Sequence, residues 1–190
     1  MTRHVSAALL IIDAINPLDF EGAKALCRSA EAIVAPVRKL RDDADAAGMP
    51  VVYVNDNYGA WRADRDDVVD HVIESDVPGR EIASRLRPRD DDYFVIKPQI
   101  SGFYATTLPA LLPRLGVNRL VLAGIAADIC VLFTAADAHM REYDLWVPAD
   151  AVAGEKDERT RWALEIMRNS FDAETRSTGD LSLADWLNAD

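Results

Sequence analysis

Ala7-Ala-Leu-Leu-Ile-Ile-Asp13 is a continuous apolar run closed by a carboxylate. Lacking polar alternation, it suits a strand buried on both faces, as the strands of parallel sheets are. Outward from it, strand-like and helix-like stretches alternate. A helical pattern runs from about Glu21 to Ala47, with an interruption expected near Pro36 and Gly48 placed to end it. Pro50-Val-Val-Tyr-Val-Asn-Asp56 is the second strand. Asn57 to Arg89 is polar and loop-rich, with at most short helices, and its Asp64-Arg-Asp-Asp67 cluster reads most simply as a solvated loop. Tyr93-Phe-Val-Ile96 is the third strand, ending at Lys97; Thr107 to Leu115 is a short helix that Gly116 stops; Arg119-Leu-Val-Leu-Ala123 is the fourth strand. A helix from Ile129 to Tyr143, a fifth strand Asp144-Leu-Trp-Val-Pro148 and a helix from Lys156 to Asn169 follow. Ala173 to Thr178 reads as a weaker sixth strand, before a terminal helical turn through Trp186. This alternation predicts an α/β protein, a three-layer α/β/α sandwich with a doubly wound, mostly parallel sheet of about six strands.

The chain has 190 residues, the size of a single domain that can bury its own core. Asp and Glu number 32 against 21 Lys and Arg, a net charge of −11. So acidic a chain is a poor binder of phosphate backbones and anionic membranes, which leaves a small molecule as the expected ligand. No apolar run approaches the roughly 18 residues that cross a bilayer. The first run is also too short for a secretion signal, so a cytoplasmic protein is expected. Cys27 and Cys130 stand far apart and read as free thiols. There is no C-x-x-C, H-E-x-x-H or G-x-G-x-x-G, so zinc ribbons, zincins and dinucleotide sites lose their support.

In open α/β sheets ligands bind beyond the carboxyl ends of the strands. Those ends carry Asp13, then Asn55 and Asp56, then Lys97, and Cys130 lies just beyond the fourth. Taken singly, each has an ordinary structural reading: a cap, a buried small hydrophobe, a solvated amine. Together at adjacent strand ends, an acid, an amine and a thiol form a plausible nucleophilic site. A helix start and the Lys97 ammonium are expected to lower the Cys130 pKa, with Asp13 taking the thiol proton and returning it to a leaving amine. The small-residue turn Gly124-Ile-Ala-Ala-Asp-Ile-Cys130 offers backbone N–H groups for an oxyanion hole. Histidine offers no rival. His4 is terminal and His71 lies in the polar loop; His139 is nine residues past Cys130, roughly 13 Å along a helix.

Gly124-Ile-Ala-Ala-Asp-Ile-Cys-Val-Leu-Phe-Thr-Ala-Ala-Asp-Ala138 resembles the segment around the nucleophilic cysteine of the isochorismatase-like superfamily, which includes nicotinamidases. Leu9-Leu-Ile-Ile-Asp13 resembles the strand with its catalytic aspartate, Lys97-Pro-Gln-Ile-Ser-Gly-Phe103 the segment with its catalytic lysine, and Val147-Pro-Ala-Asp-Ala-Val-Ala153 the strand and turn that follow. The resemblance implies an Asp13, Lys97, Cys130 triad. It also implies a cis peptide at Ile125–Ala126 that turns the Ala126 N–H toward the substrate oxygen beside that of Cys130, and a homo-oligomer, dimer or tetramer. The chain departs from the nicotinamidase pattern after Asp13. Asn16, Asp19 and Phe20 stand in altered spacing and Ile15 replaces a glutamine. Tyr58 also stands where metal-binding relatives carry a histidine. No catalytic metal and no other cofactor is therefore expected, and nicotinamide is disfavoured as the substrate.

The resulting expectation is a cysteine amidohydrolase acting on a small amide or ureido compound. Its substrate pocket is expected to draw on Asn16, Phe20, Asp56, Tyr58, Trp61 and Phe103. Two alternatives stay open: a vinyl-ether hydrolase that uses Asp13 without the thiol, and a catalytically silent binding module.

Overall fold

A computed structural model describes residues 7–189, so His4 lies outside the described residues. β1 (Ala7–Ile12), β2 (Val51–Asp56), β3 (Tyr93–Lys97), β4 (Arg119–Ile125), β5 (Asp144–Trp146) and β6 (Val152–Ala153) form one wholly parallel sheet. The order is β3-β2-β1-β4-β5, with β6 also on β4. β1 is fully buried along its length. Its Leu9 and Ile11 enter one core, with α1 (Ala23–Ala46), α2 (Arg65–Glu74), α3 (Arg80–Arg85) and α7 (Leu183–Asn188). Its Ala8, Leu10 and Ile12 enter the other, with α4 (Leu108–Arg114), α5 (Leu132–His139) and α6 (Asp157–Ser170). These two cores make the three layers. Among the described residues no helix is long and apolar enough to cross a membrane.

Four expectations need correction. α1 runs through Pro36 without a break. Pro36 lies on the outer side of the helix, while Ile33, Val34, Val37 and Leu40 are buried on both sides of it, and that packing outweighs the roughly 3 kcal/mol a proline costs inside a helix. The sixth strand is Val152–Ala153, not Ala173 to Thr178, which makes one bridge, from Glu174 to Trp146. β5 and β6 share one edge of β4, parted by the Pro148 turn, and a two-residue strand carries no periodic signal. The helix expected from Ile129 to Tyr143 begins instead as a π-helical turn, Ala127–Val131, and becomes α5 at Leu132. Asp64 and Asp67 are not merely a solvated loop. Asp64 accepts from the N–H groups of Asp66 and Asp67 while Asp67 accepts from that of Asp64, a capping box that starts α2.

Connections run from β1 toward β3 on one side and from β4 toward β5 on the other. The carboxyl ends of β1 and β4 therefore flank the topological switch point, where such sheets bind ligands. Gly124 makes this closeness possible. Its φ is 118°, and a Cβ there would stand 2.0 Å from the Ile12 carbonyl oxygen. Gly124→Ala is expected to destabilise the fold by about 3 kcal/mol or more, read as a lowered midpoint in urea denaturation. A midpoint within error of wild type contradicts this account of the β1–β4 contact.

Candidate active site

β1 ends at Ile12, and Asp13 turns out of it with a φ of 50°, a conformation rare outside glycine. The fully buried Asn55 holds the turn from the neighbouring strand. Its Oδ1 accepts from the Ile15 N–H at 3.1 Å and its Nδ2 donates to the Ile15 carbonyl at 2.9 Å. The Tyr58 hydroxyl donates to that same carbonyl at 2.8 Å. The Asp13 side chain is thereby aimed along the sheet end. Its Oδ1 accepts from the Asp56 N–H at 2.7 Å and its Oδ2 meets Lys97 Nζ at 2.9 Å.

Lys97 is wholly buried. Besides Asp13, its ammonium lies 3.4 Å from Asp56 Oδ2 and 3.5 Å from Cys130 Sγ. The Asp13 carboxylate acts on the thiol as well. The π-helical turn presents Cys130, and α6 anchors that turn through Arg159 Nε on Asp128 Oδ2 at 2.6 Å. The Ile125–Ala126 peptide bond just before the turn is cis. The Ala126 N–H donates to no acceptor among the described residues.

Burial raises the Asp13 pKa, although Lys97 pulls against it. Burial lowers Lys97, but the Asp13 and Asp56 carboxylates outweigh that and hold it charged. The thiol departs from the sequence expectation. Burial and the Asp13 charge push Cys130 up to about 12, and Lys97 offsets only part of this. Cys130 sits inside the turn rather than at the first residue of a helix, so the resting site holds a neutral thiol beside an ion pair. Tyr58 is held well above its usual value by burial and by the charges of Asp13 and Asp56.

The structure thus brings together Asp13, Asp56, Lys97 and Cys130, with Tyr58 on the same turn. Trp61 lines an open pocket with Pro98, Ile100 and Phe133, none of the four site residues being in its wall. Asn16 is turned onto its own loop, accepting from the Leu18 N–H. Phe20 lines a different hollow, with Cys27. Phe103 is buried in the second core beneath Arg141. His71 lies in α2, and His139 ends α5 against Phe171. No group of three or more His, Cys, Asp or Glu side chains among the described residues is placed to hold a metal ion. Sequence reasoning treated Asn55 only as a strand end and missed its clamp. The available signal was an amide in an otherwise apolar, buried strand, where polar groups must find partners. The Asp128 anchor and Thr134, whose Oγ1 accepts from the Gly102 N–H at 2.9 Å, left no comparable signal.

The isochorismatase domain family matches residues 7–180. The uncharacterized isochorismatase family protein YaaI of Bacillus subtilis is 41% identical over 167 residues, covering 88% of this chain and 91% of its own. Among solved structures, the N-carbamoylsarcosine amidase of Thermoplasma acidophilum is 30% identical with a TM-score of 0.73, covering 94% of this chain and 99% of its own. An isochorismatase family protein of Desulfovibrio vulgaris gives a TM-score of 0.77 at 26% identity, covering 97% of this chain and 100% of its own. The protein is a hydrolase with an α/β fold, and it belongs to the isochorismatase family.

Because the Asp13 charge opposes ionisation of the thiol, Asp13→Asn is expected to lower the pH midpoint of Cys130 alkylation by iodoacetamide. Lys97 then acts on the thiol without the Asp13 charge against it. Peptide-resolved mass spectrometry across a pH series reads the midpoint. An unchanged or higher midpoint contradicts the coupling.

Proposed function

We propose that this hydrolase is a cysteine amidohydrolase that cleaves a C–N bond in a small amide or ureido substrate. The observation that carries the proposal is the meeting of a thiol, a carboxylate and an ammonium within hydrogen-bond reach, buried at the switch point of the sheet. The similar N-carbamoylsarcosine amidase structure supports C–N chemistry on this fold.

In the proposed sequence, Asp13 accepts the Cys130 proton as Sγ bonds to the carbonyl carbon, breaking the C=O π bond. Charge develops on the carbonyl oxygen, which takes hydrogen bonds from the unpartnered Ala126 N–H and from Cys130 N–H. Asp13 then protonates the departing nitrogen as the C–N bond breaks, leaving a thioester. Water attacks the thioester with Asp13 as base, and the proton returns to Sγ as the acid leaves. Lys97 stays cationic and holds Asp13 and the nascent thiolate in register. A neutral resting thiol fits this order, since Sγ loses its proton only as the new bond forms. In this reading the enzyme works as a homo-oligomer, which the exposed Met140, Trp162 and Ile166 on and beside α5 and α6 support.

The test is ammonia release from benzamide, nicotinamide, biuret and N-carbamoyl amino acids. Wild type is expected to release ammonia from at least one of them, and Cys130→Ala and Asp13→Asn to lose about a thousandfold or more. Activity that survives loss of Cys130 but not of Asp13 overturns the thiol mechanism in favour of ether hydrolysis. On the active substrate kcat/KM is expected to rise with pH through the Asp13 ionisation, because the base works deprotonated. Burial places that limb above the ordinary 3.8 of a carboxyl. A limb at or below 3.8 contradicts Asp13 as the base.

A further inference from the structure

The turn that carries the two proposed oxyanion donors has little of its own to hold it. In Ala126-Ala-Asp-Ile-Cys130 the only side chain besides the thiol that can make a polar bond is Asp128, two residues from each donor. The turn winds as a π-helix from Ala127 to Val131, a rare form found mostly as single turns. The Ala126 carbonyl accepts from the N–H groups of both Ile129, at 3.0 Å, and Val131, at 3.2 Å.

Asp128 fastens this turn to α6. Arg159 Nε donates to its Oδ2 at 2.6 Å, with 10% of the aspartate side chain exposed and 45% of the arginine. Gly154, between β6 and α6, closes the other side. A Cβ there would stand 3.1 Å from Asp128 Oδ1 and 2.8 Å from Thr160 Oγ1. The carboxylate is thus seated against the first turn of α6, whose N-cap Lys156 makes no side-chain cap and whose dipole favours an anion. The charges that shift the thiol are those of Asp13 and Lys97; what Asp128 imparts is position. A partly exposed ion pair adds little to global stability. Its weight here falls on a short segment with no other polar side chain to tether it.

We propose that the Asp128–Arg159 pair is a positioning device: it holds the Ala126 and Cys130 N–H groups where the carbonyl oxygen of the substrate gains charge. Both residues act through the turn. The proposal rests on the amidohydrolase reading, with Cys130 as nucleophile. Its consequence is selective. Displaced donors weaken steps in which a carbonyl oxygen gains charge and leave other reactions of the thiol alone.

Two probes separate those steps. With 4-nitrophenyl acetate the Sγ–C bond forms, the thiol proton passes to Asp13, the ester carbonyl oxygen takes the charge, and the C–O bond breaks to release 4-nitrophenolate. With iodoacetamide the Sγ–C bond forms as iodide leaves, and no carbonyl oxygen gains charge. Both rates are measured on the full chain at one pH, counting only the part that Cys130→Ala loses. Arg159→Met removes the donor at a half-exposed helix position. It is expected to slow acylation about tenfold, with alkylation within about twofold of wild type and the urea midpoint unchanged. Arg159→Lys should regain most of the acylation rate. Asp128→Ala should match Arg159→Met, and the double variant should be no slower than either, since the two act as one pair.

Loss of both rates by the same factor, or of neither, overturns the proposal and leaves the amidohydrolase reading standing. Effects of the two substitutions that multiply independently overturn it too. A wild type that releases no more 4-nitrophenolate than Cys130→Ala removes the nucleophile, and the amidohydrolase reading and the proposal fall together.

Discussion

An ammonium with no exposure to water lies at the centre of this molecule, and its counter-charges organise what surrounds it. Lys97 is stable in that place only because Asp13 meets it at 2.9 Å and Asp56 stands at 3.4 Å. Asp13 reaches it only from a backbone conformation that ordinary residues avoid, and Asn55 and Tyr58 hold that turn through the Ile15 peptide. Gly124 in turn lets β4 lie close enough to β1 to bring the Cys130 turn alongside. The ion pair, the amide clamp and the glycine contact form one connected arrangement across four adjacent strand ends.

Much of this was legible in the sequence, for identifiable reasons. A run such as Ala7 to Ile12 has few homes other than a strand covered on both faces, and the strand ends follow from where such runs stop. Asp13, Lys97 and Cys130 stand at those ends or just beyond, so one periodicity argument pointed to both the fold and the cluster of side chains at its strand ends. What escaped depended on partners distant in the chain. Asn55 declares its role only against Ile15, 40 residues away. Pro36 reads as a breaker until the buried face of α1 is seen to continue on both sides of it. Phe20 and Phe103 were equally aromatic on paper. One lines a surface hollow with Cys27 and the other is walled into the second core, a difference made by loop paths that no local pattern records.

The thiol shows why residue type and neighbourhood are not enough to set reactivity. A cysteine near a lysine and a helix start looks activated on a list of residues. In three dimensions the same lysine already belongs to Asp13, burial penalises the thiolate, and the carboxylate opposes it again, so Cys130 rests protonated. In the proposed mechanism a proton passes between Asp13 and Cys130, and no thiolate is stored at rest. That suits a reaction in which one carboxyl must take a proton from sulfur and return one to nitrogen.

Strand register makes this arrangement all-or-none. Asp56 pairs with Lys97 across β2 and β3, and Ile12 with Gly124 across β1 and β4. Side chains alternate between the two faces of a strand, so a slip of one residue in β3 would turn Lys97 away and bring Ile96 into its place. The same slip would move Val95 out of the second core and Phe94 into it. Burial of the apolar residues on both faces therefore enforces the register that brings the charged groups together, and the charged site adds no separate device to secure it.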